Sequence, residues 1–268
     1  MTSDICTLQR GTTPLLVSVP HAGTRIPDEL APLYVERALA VEDTDWHLDA
    51  IYDFTRDMGA SLLLPRHSRY VIDLNRPPEN TPMYPGVNNT ELCPTRFFTG
   101  EPLYRPGQAP DAHQVAARLA RYWQPYHDAL AGELARLKAV HGYALLWDGH
   151  SIASQLPWLF DGRLSDLNLG TASGASCAPS LRAALMAVLD AQQHFSHVTD
   201  GRFKGGYITR TYGRPADRVH AVQMEMCFST YMTREAPPWT LDAPRVSHRL
   251  QPLLLAMLQA MLDWRPGD

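Results

Sequence analysis

Short apolar segments alternating with stretches of helical periodicity are the feature that most constrains the fold of this chain. Five segments read as buried strands because they are short, apolar and bounded by turn residues: PLLVSVPH (14–21), ASLLLPRH (60–67), YVIDL (70–74), YALLWDGH (143–150) and VHAVQMEM (219–226). Such continuous hydrophobicity is typical of strands that are covered on both faces of a sheet. Strands that alternate with helices predict an α/β layered architecture.

Four stretches outside these strands repeat apolar residues at helical spacing. They are residues 45–58, 111–140 and 179–193 and the C-terminal segment LQPLLLAMLQAMLDW (250–264). Pro125 is expected to kink or interrupt the second of them, because proline lacks a backbone N–H group. The C-terminal segment is broken by glutamine and proline, so it predicts a helix that covers the core and not a membrane span.

The composition narrows the class of protein. A chain of 268 residues with 45% hydrophobic and 19% charged residues can bury a substantial core, and we expect one domain over 1–268. A net charge of -4 and a pI near 6.2 argue against a nucleic-acid partner. Four dispersed cysteines and no signal-peptide pattern predict a reduced, cytoplasmic protein without a membrane partner.

Polar residues stand where several predicted strands end. His21 ends the first strand, Asp148 and His150 end the fourth, and Glu225 lies within the fifth. The carboxyl ends of strands form the site in open α/β sheets, so these residues are expected to converge. A histidine after a strand is, by itself, more often a structural residue. A carboxylate between two methionines is costly unless it has a partner or a role, which makes Glu225 the best catalytic candidate.

The acidic segment VEDTDWHLD (41–49) offers a third ligand for a metal. One interpretation is a solvated first turn of a helix, where acids favour the positive end of the helix dipole. The other is a metal site, because a catalytic zinc ion commonly takes three histidine or carboxylate ligands and leaves one position open. His21, His150 and one acid of this segment would complete such a set.

The segment YVIDLNRPP (70–78) concentrates further polar residues. Arg76 can bind a carboxylate through two parallel hydrogen bonds, and Asn75 can add a donor. Spacing alone favours a simpler interpretation, in which Arg76 pairs with Asp73 or Glu79 and braces the turn.

A basic loop, GRFKGGYITRTYGR (201–214), contains no acid. Its cations are Arg202, Lys204, Arg210 and Arg214. Positive charge lining a cleft attracts anions, so the loop indicates an anionic small molecule, with a solvated hairpin as the alternative. Neither of the common glycine-rich phosphate-binding patterns is present.

Taken together, the motifs of this chain resemble those of the N-formylglutamate deformylase (N-formylglutamate amidohydrolase) family. The resemblance extends from about Thr12 to Tyr231 and rests on PHAGTRIP, DTDWHLD, SRYVIDLNRP, LLWDGHSI, LFDGRLSDLNLG, DGRFKGGYITRTYG and AVQMEM. It implies zinc-dependent hydrolysis of N-formyl-L-glutamate to L-glutamate and formate in histidine degradation. It also implies a three-layer α/β/α fold with a mixed twisted sheet, similar to zinc carboxypeptidases and aspartoacylases.

The resemblance also implies roles for individual residues. The DLNR motif, shared with aspartoacylases, gives Asn75 and Arg76 a substrate-carboxylate role in place of bracing. Zinc carboxypeptidases take two ligands from His-x-x-Glu, whereas Thr24 stands three residues after His21. Asp45 is therefore the expected second ligand, with Asp43 and His47 as alternatives.

The implied mechanism combines these residues. His21, Asp45 and His150 would hold Zn²⁺, Asp148 would orient a ligand, and Glu225 would act as the general base. The second substrate carboxylate would meet one of four cations, Arg69, Arg202, Lys204 or Arg210.

Two other functions fit parts of the pattern. One is a related zinc acylase or carboxypeptidase that acts on another N-acyl acidic amino acid. The other is a metal-binding or amino-acid-binding protein without catalysis. The combination of Glu225 with a full ligand set argues against the second, since a binding protein needs no general base.

Overall fold

A mixed sheet forms the centre of the protein. In the computed structural model, which describes residues 4–83 and 88–267, seven strands are hydrogen-bonded in the order β1-β3-β2-β4-β7-β5-β6. The strands are β1 (Cys6–Gln9), β2 (Leu15–Ser18), β3 (Ser61–Pro65), β4 (Ala144–Ile152), β5 (Leu167–Gly170), β6 (His197–Thr199) and β7 (Val219–Cys227). β2 is parallel to β3 and β4, and β4 is parallel to β7; β1 and β5 run antiparallel to their partners β3 and β7.

Helices cover both faces of this sheet. The α-helices are α1 (Leu48–Ile51), α2 (Ala112–Arg118), α3 (Gln124–His141), α4 (Pro179–Ala191), α5 (Tyr207–Tyr212), α6 (Ala243–Arg245) and α7 (Gln251–Asp263). Shorter 3₁₀ turns lie at Ala31–Leu33, Glu36–Ala40, Asp53–Arg56, Pro215–Asp217 and Phe228–Thr230. No helix within the described ranges is long and apolar enough to cross a membrane.

Pro125 interrupts the long helix as expected, and it does so through a π turn. The turn Leu119–Trp123 joins α2 to α3, and the Gln124 N–H group donates to the Leu119 carbonyl five residues back. A proline disturbs the α-helical bonding of the preceding turn, so a wider turn just before it keeps the chain helical. The same device, Val246–Leu250, precedes Pro252 and leads into α7.

Alternating residues of the central strands pack into two separate hydrophobic cores, one on each face of the sheet. The sheet and the helices that cover these two cores form the three predicted layers. Leu145 and Trp147 of β4 pack in a cluster with residues of α4 and α7. Leu146 lies in the other cluster, with residues of α3. Because successive side chains of a strand point to opposite faces, Asp148 and His150 follow Leu146 onto the α3 side of the sheet.

The strand predictions at 14–21, 60–67, 143–150 and 219–226 are confirmed, but the one at 70–74 is wrong. Residues 70–74 form an irregular buried turn. The Asp73 N–H group donates to the Leu92 carbonyl, outside any strand ladder. The apolar residues Val71, Ile72 and Leu74 pack into the core on the α3 side of the sheet. Hydrophobicity alone does not distinguish such burial from pairing in a strand.

The helix prediction at 45–58 is correct for only part of its length, and the predictions lack three short strands. Only Leu48–Ile51 is α-helical, followed by the 3₁₀ turn Asp53–Arg56. β1, β5 and β6 were not predicted, because three or four residues are too few to show a period.

Candidate metal centre

Three buried side chains meet at the carboxyl ends of β2 and β4. His21 follows β2, His150 lies on β4, and Asp45 lies in a loop whose backbone N–H group bonds to the His21 carbonyl. His150 Nδ1 lies 3.1 Å from His21 Nδ1 and 3.2 Å from Asp45 Oδ2, and His21 Nδ1 lies 3.6 Å from Asp45 Oδ2. Donor atoms around a tetrahedral metal with bonds of about 2.0–2.1 Å stand about 3.3 Å apart. This triangle can therefore hold a metal ion.

The electrostatics of the cluster favour a positive charge at its centre. Burial would lower the pKa of His150, but Asp148 and Asp45 outweigh it and raise that pKa well above its usual range. Burial would likewise raise the pKa of Asp45, yet the two histidines hold it below its ordinary value. The two imidazole nitrogens and the carboxylate oxygen therefore form a set of ligand atoms that can bind a proton or a metal cation.

Among the acidic-segment candidates, the structure brings Asp45 to the two histidines and turns the other two away. Asp43 accepts a hydrogen bond from the Phe98 N–H group at 3.0 Å, and burial raises its pKa to about 6. His47 has a left-handed backbone with φ 64°, and its Nε2 lies 2.5 Å from the Trp239 carbonyl oxygen.

Glu225 lies on β7 directly beside the triangle. In the parallel pairing of β4 with β7, its Cα stands opposite that of His150, and Gln223 stands opposite Asp148. Its neighbours Met224 and Met226 point to the other face, into the α4–α7 core. Burial raises the pKa of Glu225 to about 8. A carboxyl group with this pKa can both accept and donate a proton near neutral pH.

A pocket opens over the triangle, with about 630 Å³ of empty space including its mouth. Its apolar side is formed by Phe98, Ile152, Leu159, Phe160 and Phe203. Its polar side includes Arg69, Asn75, Arg76, Thr90, Arg202 and Gln223. Of the described residues that line this pocket, Glu225 is the only one with a carboxyl group.

The predicted substrate-binding residues divide into two groups. Arg69, Asn75, Arg76 and Arg202 line the pocket. Lys204 and Arg210 do not: both are exposed, and Arg210 Nε donates back to the Gly205 carbonyl. Gly206 lies against Asn75 and lines the pocket, whereas the outer cations of the loop lie outside the pocket lining.

Arg76 is not used to brace its own turn through a carboxylate. Its Nη2 donates to Thr90 Oγ1 at 2.7 Å and its Nε to the Thr90 carbonyl at 3.1 Å. Over residues 4–83 and 88–267, no acid lies within ion-pair distance of its guanidinium group. Arg76 therefore brings to the pocket a positive charge that forms no direct ion pair, although this charge also helps to lower the pKa of Asp73.

Arg69 is, in contrast, held by acids. Its Nη2 lies 2.6 Å from Asp73 Oδ2, its Nη1 lies 3.8 Å from Asp45 Oδ1, and its guanidinium stacks on the Phe98 ring at 4.6 Å. Burial would raise the pKa of Asp73, but Arg69 and His21 outweigh it and hold that pKa well below its usual range.

Sequence reasoning did not assign a site role to Gln223 or Asp73. Gln223 Nε2 donates to Glu225 Oε2 at 3.3 Å, and Asp73 Oδ1 lies 2.7 Å from His21 Nε2. The two-residue period of VQMEM could have placed Gln223 on the face of Glu225. Nothing local indicates the contact between Asp73 and His21, because 52 residues separate them.

Comparisons with known proteins identify the family of this chain. The sequence profile of the family described as N-formylglutamate amidohydrolase matches residues 13–232, which is most of the chain. The chain belongs to the N-formylglutamate amidohydrolase family. It is therefore an amidohydrolase, and the predicted family is confirmed.

Relatives of this family member match along nearly their whole length. It is 49% identical to the N-formylglutamate deformylase of Pseudomonas aeruginosa over 97% of both chains. It is 48% identical to that of Pseudomonas putida over 97% of this chain and 96% of the relative. The crystal structure of an N-formylglutamate amidohydrolase from Ralstonia eutropha JMP134 matches with a TM-score of 0.79 at 24% identity, covering 97% of this chain and 98% of that one, which supports the fold.

Proposed function

We propose that this protein is a zinc-dependent N-formylglutamate deformylase, which hydrolyses N-formyl-L-glutamate to L-glutamate and formate. The observation that carries the proposal is the triangle of His21, Asp45 and His150 with Glu225 beside it, at the base of a pocket lined by arginines. The names of the two Pseudomonas relatives supply the substrate.

Zinc is the metal that this donor set suits best. Two imidazole nitrogens and one carboxylate oxygen, all buried, are the ligand number and type of a catalytic zinc site with one open position. When bound there, the metal would supply Lewis-acid chemistry, lowering the pKa of water and polarising the formyl carbonyl.

Glu225 would carry the proton transfers. It would take a proton from the water that attacks the formyl carbon and deliver a proton to the amine nitrogen as the C–N bond breaks. The products are then formate and the free amine of glutamate. Gln223, which donates to Glu225 Oε2, would hold the carboxyl group in position for both steps.

The two carboxylates of the substrate would bind the arginines of the polar side. Arg76 is suited to one, because two hydrogen bonds to Thr90 fix its guanidinium group and no described acid forms an ion pair with it. Arg202 lines the same pocket and would meet the other. Arg69, whose Nη1 faces Asp45, would lie nearer to the reacting carbonyl.

The apolar side of the pocket would limit the acyl group. Ile152 follows His150 by two residues on β4, so both side chains lie on the same face of the strand. Ile152 packs in one cluster with Phe98 and Phe160. A formyl group fits beside such a wall, whereas an acetyl methyl group would clash with it.

The setting of the enzyme is part of the proposal. We place the reaction in histidine degradation in the cytoplasm, with a small molecule as the ligand. The four cysteines, all buried and free, suit a reducing compartment.

Release of L-glutamate, the product common to the three substrates below, tests the proposal with the purified protein, and formate is measured alongside it for the formyl substrate. N-formyl-, N-acetyl- and N-succinyl-L-glutamate would be compared before chelation, after chelation and after zinc is added back. We expect the protein to hydrolyse the formyl substrate, to lose this activity on chelation, and to recover it when zinc is added back. Preference for an acetyl or succinyl substrate would indicate a related acylase instead.

A further inference from the structure

Two aromatic side chains at the start of α3 bond to the backbone of the segment 74–76, which carries Arg76. His127 Nε2 lies 2.9 Å from the Leu74 carbonyl oxygen. Trp123 Nε1, in the π turn that leads into α3, donates to the Arg76 carbonyl at 3.1 Å. Neither His127 nor Trp123 lines the pocket. Both therefore contact the backbone that supports Arg76 and not the space that a substrate would occupy.

The carbonyl groups of segment 74–76 depend on donors from other parts of the chain. The segment belongs to no strand or helix, and the two prolines that follow it have no N–H group to offer. A buried carbonyl group without a partner is costly. The middle carbonyl, that of Asn75, accepts the Tyr207 N–H group at 3.4 Å, at the first residue of α5. Three successive carbonyl groups are thus bonded from the side of α3 or of α5.

The two donors of α3 are held together as a pair. Trp123 and His127 stand four residues apart, so they lie on one side of the helix, and their ring centroids are 3.7 Å apart. Because a carbonyl oxygen can only accept, His127 Nε2 donates to Leu74, and Nδ1 accepts from the Tyr212 hydroxyl at 2.9 Å. Burial lowers the pKa of His127 to about 4, so the ring keeps this single N–H group at neutral pH.

The direction of the Arg76 guanidinium group depends on this backbone. Its Nη1 donates to the Asn75 carbonyl at 3.2 Å, while Nε and Nη2 bond to Thr90. A guanidinium group binds a carboxylate through two parallel hydrogen bonds, so a shift of the backbone would spoil that alignment. The metal triangle is less dependent on it, since Asp73 has its own bonds to Arg69 and to the Leu92 carbonyl.

We infer that Trp123 and His127 are positioning residues, which hold the backbone of segment 74–76 so that Arg76 is aligned with a carboxylate of the substrate. The inference rests on the proposed function, in which Arg76 binds one carboxylate of N-formyl-L-glutamate. It adds two residues that belong neither to the motifs of the sequence nor to the lining of the pocket.

Steady-state kinetics of full-length, zinc-loaded variants test this inference. Trp123→Phe keeps an aromatic ring and removes the N–H donor. Its KM for N-formyl-L-glutamate should rise about 10-fold, the lower end of the cost of losing a hydrogen bond to a charged group, with kcat within about threefold of wild type. Its zinc Kd, measured by competition with a chelator, should change by less than about threefold, below the effect of losing a partner of a metal ligand. Trp264→Phe is the matched control, because Trp264 Nε1 donates to Ser180 Oγ outside the pocket, and its KM should equal that of wild type.

His127 provides a second test, in which a conservative variant should rescue binding. His127→Leu removes the donor and should raise the KM as Trp123→Phe does. His127→Gln can still donate an amide N–H to the Leu74 carbonyl, so its KM should stay within about threefold of wild type. In an Arg76→Gln background, Trp123→Phe should lower kcat/KM by less than about twofold more, because the residue that it positions is absent. Thermal unfolding identifies any variant that fails to fold.

Binding of glutarate, a dicarboxylate that requires no turnover, separates this inference from the proposed function. The glutarate Kd, measured by calorimetry, should rise with the KM in Trp123→Phe and His127→Leu. Folded variants with wild-type KM and glutarate Kd would overturn the inference, as would a loss that persists in full in the Arg76→Gln background. A wild-type protein that binds glutarate but does not hydrolyse N-formyl-L-glutamate would overturn the proposed substrate alone, and one that does neither would overturn both.

Discussion

Replacing Glu225 by glutamine is the perturbation that most directly tests the catalytic assignment. Glutamine has the same shape and can still accept the hydrogen bond from Gln223 Nε2, so the pocket should keep its form. The change removes only the ability to take and give a proton. Asp45, Asp73 and Asp148 cannot substitute for it, since each contacts a histidine of the metal triangle.

The expected loss follows from this isolation. General acid–base catalysis contributes about 10²–10⁴-fold, or about 3–5 kcal/mol of barrier. Glu225 is the only carboxyl group among the described residues lining the pocket, and it would serve two proton transfers. We therefore expect the kcat of Glu225→Gln to fall by about 10⁴-fold, at the upper end of that range.

The assay is formate release by zinc-loaded protein, with zinc content measured in the same sample. Glu235→Gln is the matched control, because Glu235 bonds to Ser154 and Ser229 outside the pocket. Both variants should bind one zinc ion per chain, and the control should retain wild-type kcat. A fully zinc-loaded Glu225→Gln protein that keeps a tenth or more of wild-type kcat would refute the assignment.

Three further predictions follow from the same structure. His150→Ala should weaken zinc binding by more than about 100-fold, beyond what an outer partner contributes, and wild-type zinc content by metal analysis would contradict the ligand assignment. Ile152→Ala should raise the ratio of kcat/KM for N-acetyl-L-glutamate to kcat/KM for N-formyl-L-glutamate by about 10-fold or more. Leu156→Ala, in the same cluster but outside the pocket, should leave this ratio unchanged. An Ile152→Ala ratio equal to that of wild type would exclude Ile152 as the residue that limits the acyl group. Burial lowers the pKa of His127 to about 4 from 6.5. Between these two pH values the unfolded chain binds a proton at His127 that the folded chain does not bind, so acid destabilises the fold. From pH 7 to pH 4, the free energy of unfolding of the metal-free wild type should fall by up to about 3 kcal/mol more than that of His127→Gln. Equal decreases of the two proteins in urea titrations would contradict this.

Much of the site could be predicted because strands have a simple period. His150 and Glu225 stand at strand ends or within strands, where the two-residue alternation fixes the face of each side chain. The cost of burying a carboxylate identified Glu225 before any contact was known. The sheet and its layers followed from the same alternation of apolar segments.

The sequence of the acidic segment could not decide which of its residues joins the two histidines. Asp43, Asp45 and His47 lie within five residues in a loop with no period, and the left-handed backbone at His47 turns its ring to Trp239. The family resemblance favoured Asp45, but the convergence of its carboxylate with two histidines depends on contacts across 24 and 105 residues of chain.

The sequence by itself determined the layered α/β fold and the family, and it singled out His21, His150 and Glu225, which the structure brings close together. Those features depend on local hydrophobic patterning and on side chains whose direction a strand fixes. Only the tertiary structure decided that residues 70–74 form a buried turn, that Lys204 and Arg210 lie outside the pocket lining, and that Asn75 contacts His150 and Asp148. In loops and turns, long-range hydrogen bonds set the direction of each side chain, and those bonds exist only once the sheet has formed.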